Sequence, residues 1–261
     1  MPGDNTASTG FQQLLADEWE FRIREDPLFA TQCGDHRYDD RLPPISEANA
    51  ERRLAHMRDF LRRSQAIDRD ALPDTDRLNH DVFTRFLQDE IAEIEFRAYR
   101  LPLAKAGCFH SNFADLPEFA PLGTLADYEN YLARLNAFQA YAGGHVEVMR
   151  AGLRDGQVPP RAILEGVDET LRSLTTDDPA HSVFFKPFAN MPKTIAGPIR
   201  SGWPRQAAPR SRIRSRRLIG RCCNSSPTNI CPLRAPTSPR RHCQTAKRST
   251  RIACATSRRS T

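Results

Sequence analysis

Beyond Gly197 this chain has no Asp, no Glu, no Phe and no Tyr. Such a segment has little with which to build a core or to balance its own charge. Other absences bound the whole sequence. It has no run of about 18 apolar residues, so nothing reads as a membrane-spanning helix. Residues 1–10 lack a basic start followed by an apolar stretch, so no secretory signal is visible. Together these predict a cytoplasmic protein that engages no membrane. None of the seven His is followed by Glu, which excludes the His-Glu-x-x-His helix of zincins. There is no Gly-rich phosphate loop, no Gly-x-Ser-x-Gly, no internal repeat and no convincing alternating strand run.

What is present divides at about Gly197. Residues 198–261 hold sixteen Lys/Arg, seven Pro, nine Ser and five of the seven Cys. The other 22 Lys/Arg and all 32 acids lie in residues 1–197, so the first part is about −10 and the tail +16. The net charge of +6 describes neither part. A tail of this kind has a functional reading as a nucleic-acid arm, binding phosphates and releasing counterions. Nucleic-acid tails, however, are usually Lys-rich with Gly or carry aromatics for stacking. This one mixes Arg with Pro, Ser, Thr, Ala and Cys, the vocabulary of a GC-rich gene read out of frame. Codons rebuilt from the third base of one residue and the first two of the next permit a different text. Pro227 to Thr237 can then read T-D-E-Y-L-P-A-A-R-T-D, Cys243 to Lys247 L-P-D-G-E, and Ala253 to Thr261 R-V-R-H-F-T-T-L-D. The shifted text regains acids and aromatics.

Residues 10–197 read as consecutive amphipathic helices, after a flexible start over 1–9. Ser8 or Thr9 can cap a helix carrying Phe11, Leu14, Leu15, Trp19 and Ile23, stopped by Pro27. Ser46 can cap the next, with Leu54, Met57, Phe60 and Leu61. Asp74 and Thr75 precede Leu78, Val82, Phe83, Phe86, Leu87, Ile91 and Ile94. Thr124 and Asp127 open another, with Tyr128, Tyr131, Leu132, Leu135 and Phe138, and Gly143-Gly144 is expected to interrupt it. Pro159-Pro160 should start a helix running to about Leu174. Two long connections, 34–43 and 101–123, separate these elements. The expected fold is therefore all-α, an irregular multi-helix array with two long loops. Residues 198–261 should follow it as a disordered basic tail.

The loops hold the candidate chemistry. Asp35, His36, Asp39 and Asp40 in the first could form a metal or acid/base cluster, with Arg37 a further candidate beside them; the plainer reading is ion pairs and turn hydrogen bonds. Cys108 and His110 in the second could form a nucleophile pair, but no third group orients them. Cys33 and Cys108 read as buried thiols. Cys222, Cys223, Cys231 and Cys243 with His242 match no paired Cys-x-x-Cys spacing, so a zinc site in the tail is not expected.

The run W-E-F-R-I-R-E-D-P-L-F-A-T-Q-C-G-D-H-R-Y-D-D-R-L-P from Trp19 to Pro43 resembles the amino-terminal signature of the bacterial domain of unknown function 885 family. A-I-L-E-G-V-D-E-T-L from Ala162 to Leu171 and F-F-K-P-F from Phe184 to Phe188 resemble it too, as does the shifted text of the tail. That family is similar to helical zinc metallopeptidases with a carboxy-terminal His-Glu-x-x-Pro-Gly-His type motif. The resemblance implies zinc and a peptide substrate in an intact parent. The motif lies in neither frame of this chain, so no catalytic, cofactor or metal residue carries over. The chain thus reads as an inactive, truncated fragment of such a hydrolase, with no cofactor of its own and prone to aggregation or chaperone association. The alternative is a helical binding module with a basic nucleic-acid-binding tail.

Overall fold

The computed structural model describes residues 6–104, 107–176, 178–192 and 195. Every regular element among them is helical, and no strand occurs. The architecture is all-α. The tail, with its expected disorder, lies outside the described residues, as do residues 1–5.

Three long helices enclose the first core. α1 (Thr6–Glu25) places Phe11, Leu14 and Phe21 on one face. α3 (Glu47–Gln65) is capped by Ser46, whose hydroxyl accepts from the Asn49 amide at 3.0 Å. It packs along α4 (Asp74–Glu95). Met57 and Phe60 of α3 meet Phe83, Leu87 and Ile91 of α4 against the α1 face, with Leu72 closing the end. The α4 stripe runs 80, 83, 87, 91, which puts Leu78 and Val82 on the opposite side of the helix. They are 66% and 61% exposed, and Trp19 is 40% exposed, so these three do not belong to the buried stripes. His80 takes the buried position that the apolar pattern assigns to its neighbours.

Pro27 ends α1 by starting a new helix, α2 (Pro27–Gln32), capped by Asp26. The chain then runs through 34–43 to Ser46. The second connection is not a bare loop: it contains α5 (Phe109–Ala114) and α6 (Leu116–Phe119). α7 (Leu125–Arg154) is one continuous 30-residue helix, about 45 Å long. It opens on a reciprocal capping box between Thr124 and Asp127.

Gly143 and Gly144 therefore do not interrupt α7. Gly144 serves close packing instead, because a Cβ there would collide with the Ile45 carbonyl oxygen. The Pro159-Pro160 segment forms two short helices rather than one, α8 (Arg161–Leu164) and α9 (Val167–Ser173). The break is at Gly166, whose φ of 86° is left-handed. A second core joins Phe113, Leu116, Tyr128, Tyr131, Phe188, Met191 and Ile195, with α10 (Lys186–Ala189) supplying Phe188. Leu28 of α2 and Leu42 of the 34–43 connection pack against it.

Candidate functional site

The polar residues of the 34–43 connection are organised around a buried arginine from α7. Arg134 is only 1% exposed. Its Nε donates to the Arg41 carbonyl at 2.9 Å. Its Nη2 faces the carbonyls of Pro27 at 2.9 Å and Tyr38 at 3.2 Å, and the Thr31 hydroxyl at 2.7 Å. The Asp39 carboxylate, equally buried, lies 3.5 Å away and accepts from Thr31. Burial lowers the Arg134 pKa from its ordinary value, and Asp39, Asp40 and Asp26 oppose that shift. One guanidinium thus satisfies carbonyls of α2 and of the connection that follows it. This is how buried charge is tolerated: paired, and with its donors used.

The structure brings His36 and Asp39 together, with Nδ1 2.9 Å from Oδ2. The other candidates point elsewhere. Arg37 pairs with Asp35 at 2.7 Å and with Glu20 at 2.9 Å on the exposed side. Hydrogen bonds from Arg37 hold the Asp35 carboxyl below the usual range. Asp40 pairs with Arg41 at 3.3 Å. The cluster is spent on ion pairs and turn bonds.

His110 sits apart, on α5 against α9. Its Nε2 lies 2.9 Å from the Thr170 hydroxyl, and that hydroxyl donates to the Val167 carbonyl. Nε2 is therefore the N–H donor, and Nδ1 is buried without a partner. Burial lowers the His110 pKa. Cys108 does not serve His110: its thiol donates to the Ala104 carbonyl, and burial raises its pKa. Cys108 is a buried thiol, whereas Cys33, in the turn that ends α2, is exposed.

Three further polar arrangements lie outside the two long connections. Ser64, His80 and Asp81 lie together, with Ser64 Oγ 3.2 Å from His80 Nε2. They do not form a catalytic triad. Nε2 is 2.9 Å from the Ser64 carbonyl and donates to it, so it cannot act as a base. Asp81 is 3.9 Å from Nδ1, and Ser64 has no exposed surface. Arg100 reaches Asp155 at 2.6 Å and also Glu47, tying the ends of α7 and α3 together. The third is a cleft where α1, α2, α3 and α4 meet, containing Glu18, Glu25 and Glu90. Its signal was present: Glu18 and Glu25 continue the 11–14–21 spacing of α1, at positions where an apolar residue belongs.

Among the described residues no group of three His, Cys, Asp or Glu stands ready to hold a metal ion. No helix among them is long and apolar enough to cross a membrane. No curated protein matches the chain. A family profile, described as bacterial protein of unknown function (DUF885), matches residues 27–216. The match takes in α2, the 34–43 connection and Arg134, and runs past Gly197 into the basic segment. With well over half of its length matched, the chain belongs to this DUF885 family.

Proposed function

We propose that the chain is the helical amino-terminal part of a cytoplasmic, zinc-dependent peptidase-like hydrolase, followed by a segment in another reading frame, and that it is catalytically inactive by itself. The observation that carries this reading is the family match over 27–216, set beside what the matched residues do. Arg134, Thr31, Asp39 and His36 form a structural clasp within the matched residues. Among the described residues nothing fits a zinc ion: no three-ligand group is present, and the buried His80 and His110 donate to the Ser64 carbonyl and the Thr170 hydroxyl. A catalytic zinc needs three protein ligands and an open position, with a group that activates water. In an intact parent these would come from the His-Glu-x-x-Pro-Gly-His type motif that the resemblance implies. The helices described here would then form a wall of the peptide-binding cleft. Exposed Leu78, Val82 and Phe96 give aggregation or a chaperone an apolar hold on the isolated chain.

The coding DNA tests the frame change directly. Independent reading of the gene should show a one-base gain or loss between about Gly197 and the end of the family match at Arg216. Beyond it an open frame should continue to a His-Glu motif. A single uninterrupted frame through Thr261 would overturn this, and would leave the basic segment as a genuine arm for polyanions.

A further inference from the structure

Two buried imidazoles touch the Phe109 ring where α5 meets α7 and α9. His145 of α7 stacks on it with centroids 4.2 Å apart, and His110, the next residue on α5, lies edge-on at 5.5 Å. Both ring nitrogens of His145 and the Nδ1 of His110 are buried without a hydrogen-bond partner. We propose that these two histidines form an acid-operated latch, whose protonation lifts α5 and α9 off α7 while the core of α1, α3 and α4 stays closed.

Each ring fits its place only while it is neutral. Nε2 of His110 already donates to the Thr170 hydroxyl, so an added proton goes to Nδ1, where no acceptor waits. A protonated His145 would bring two N–H donors and a charge into a site that offers no acceptor for either. The Phe109 and Tyr141 rings give a cation some attraction but not a hydrogen-bonding oxygen. Burial accordingly lowers both pKa values, that of His145 to about 4. Opening returns the rings to water, where they take up a proton near the ordinary value.

The ionisable groups around the two rings do not relieve the charge. Tyr141, edge-on to His145 at 4.7 Å, and the Cys108 thiol at the start of α5 are both kept neutral by burial. On α9, Asp168 pairs with Arg172 at 2.9 Å, and Glu169 is exposed. Beyond Ile45, which packs on Gly144, both Glu47 and Asp155 are engaged by Arg100. None of these groups contributes to the shift of either histidine, for which burial is the cause. The first core differs: its buried His80 donates from Nε2 to the Ser64 carbonyl, and its Nδ1 lies 3.9 Å from the Asp81 carboxylate, a partner for a second proton. α5 is also lightly anchored. Residues Phe109–Ala114 include no Asp, Glu, Lys or Arg, so no ion pair ties α5 down. At six and seven residues, α5 and α9 depend on packing for their helical form. Such elements open at a lower cost than the whole fold.

The test uses the full chain and a dipyridyl disulfide, a thiol reagent that works in mild acid as well as at neutral pH. Cys108 is buried beside α5 and reports the opening, while the exposed Cys33 is the reference that cancels the pH dependence of the reagent. Peptide mapping separates the two from the other cysteines. Between about pH 7.5 and pH 5 the ratio of Cys108 to Cys33 labelling rates should rise roughly thirtyfold, the linkage expected of His145 alone. His145→Phe should lose most of that rise. Amide exchange at about pH 5, corrected for intrinsic rates, should run about tenfold or more faster in α5 and α9 than in α3 and α4. If His145→Phe fails to fold, these two readouts on the unaltered chain still decide the matter. A constant labelling ratio would overturn the proposal. So would Cys108 labelling that appears only together with loss of protection in α3 and α4, since that is unfolding of the whole chain.

Discussion

Arg134→Met should destabilise the helical part by about 3–5 kcal/mol, the usual cost of breaking a buried pair by removing one partner. In a domain of this size that is roughly a 10 °C fall in melting midpoint. The substitution nearly conserves volume, so the loss comes from polar groups left without partners. Asp39 would lose its buried cation, and the carbonyls of Pro27, Tyr38 and Arg41 would lose donors that bridge the connection. The double substitution Arg134→Met with Asp39→Asn should recover part of the loss, since it removes the orphaned charge. Arg37→Met, in the same connection but on its exposed side, should leave the midpoint unchanged. Thermal melts of the four chains check this. A midpoint for Arg134→Met within error of the unaltered chain would show that the clasp does not hold the fold.

Acid should unfold the protein by way of its buried histidines. His145 on α7 stacks on Phe109 with ring centroids 4.2 Å apart, and neither ring nitrogen has a partner. Burial lowers its pKa from 6.5 to about 4. The imidazole is therefore neutral in the fold, while the unfolded chain takes up a proton near the ordinary value. Stability from this group is complete above about pH 6.5 and is lost as pH falls toward 4, because the unfolded state binds more protons in that window. Between pH 7.5 and 5 the loss is about 2 kcal/mol. His110, lowered by the same cause, acts in the same direction. His145→Phe, which keeps a ring against Phe109, should flatten most of the slope. His181→Gln, on an exposed side chain, should not. An unaltered slope in His145→Phe would place the acid sensitivity elsewhere.

The sequence made the helices legible wherever a cap and a stripe agreed. Ser46 before α3 and Thr124 with Asp127 before α7 are local hydrogen-bonding signals that need no tertiary information. The misreadings share a physical cause. Gly143-Gly144 looked like a break because glycine weakens helices, yet at Gly144 the missing Cβ admits the Ile45 carbonyl, a contact set by distant chain. Leu78 and Val82 looked like core because they are apolar, but the helical phase that buries His80 turns them outward. In the 34–43 connection, sequence showed that Asp35, His36, Asp39 and Asp40 cluster. It could not show that Arg134, more than ninety positions away, recruits Asp39 into a buried clasp. Glu18 and Glu25 were visible as charges at core-phase positions, but Glu90 joins them only through the packing of α4 on α1.

On the proposed reading, these helices frame a catalytic centre whose ligands lie outside the described residues. Metal content and hydrolysis of a mixed peptide pool, with and without a chelator, test it on two chains: residues 1–261, and the same gene with its frame restored through the downstream sequence. The short chain should hold no stoichiometric zinc in its helical part and release no product, whereas the restored chain should bind about one zinc and show chelator-sensitive turnover. Chelator-sensitive turnover by residues 1–261 would contradict the account and return attention to Asp35, His36, Asp39, Asp40 and His110. A restored chain that bound no zinc and cut no peptide would contradict the peptidase reading itself.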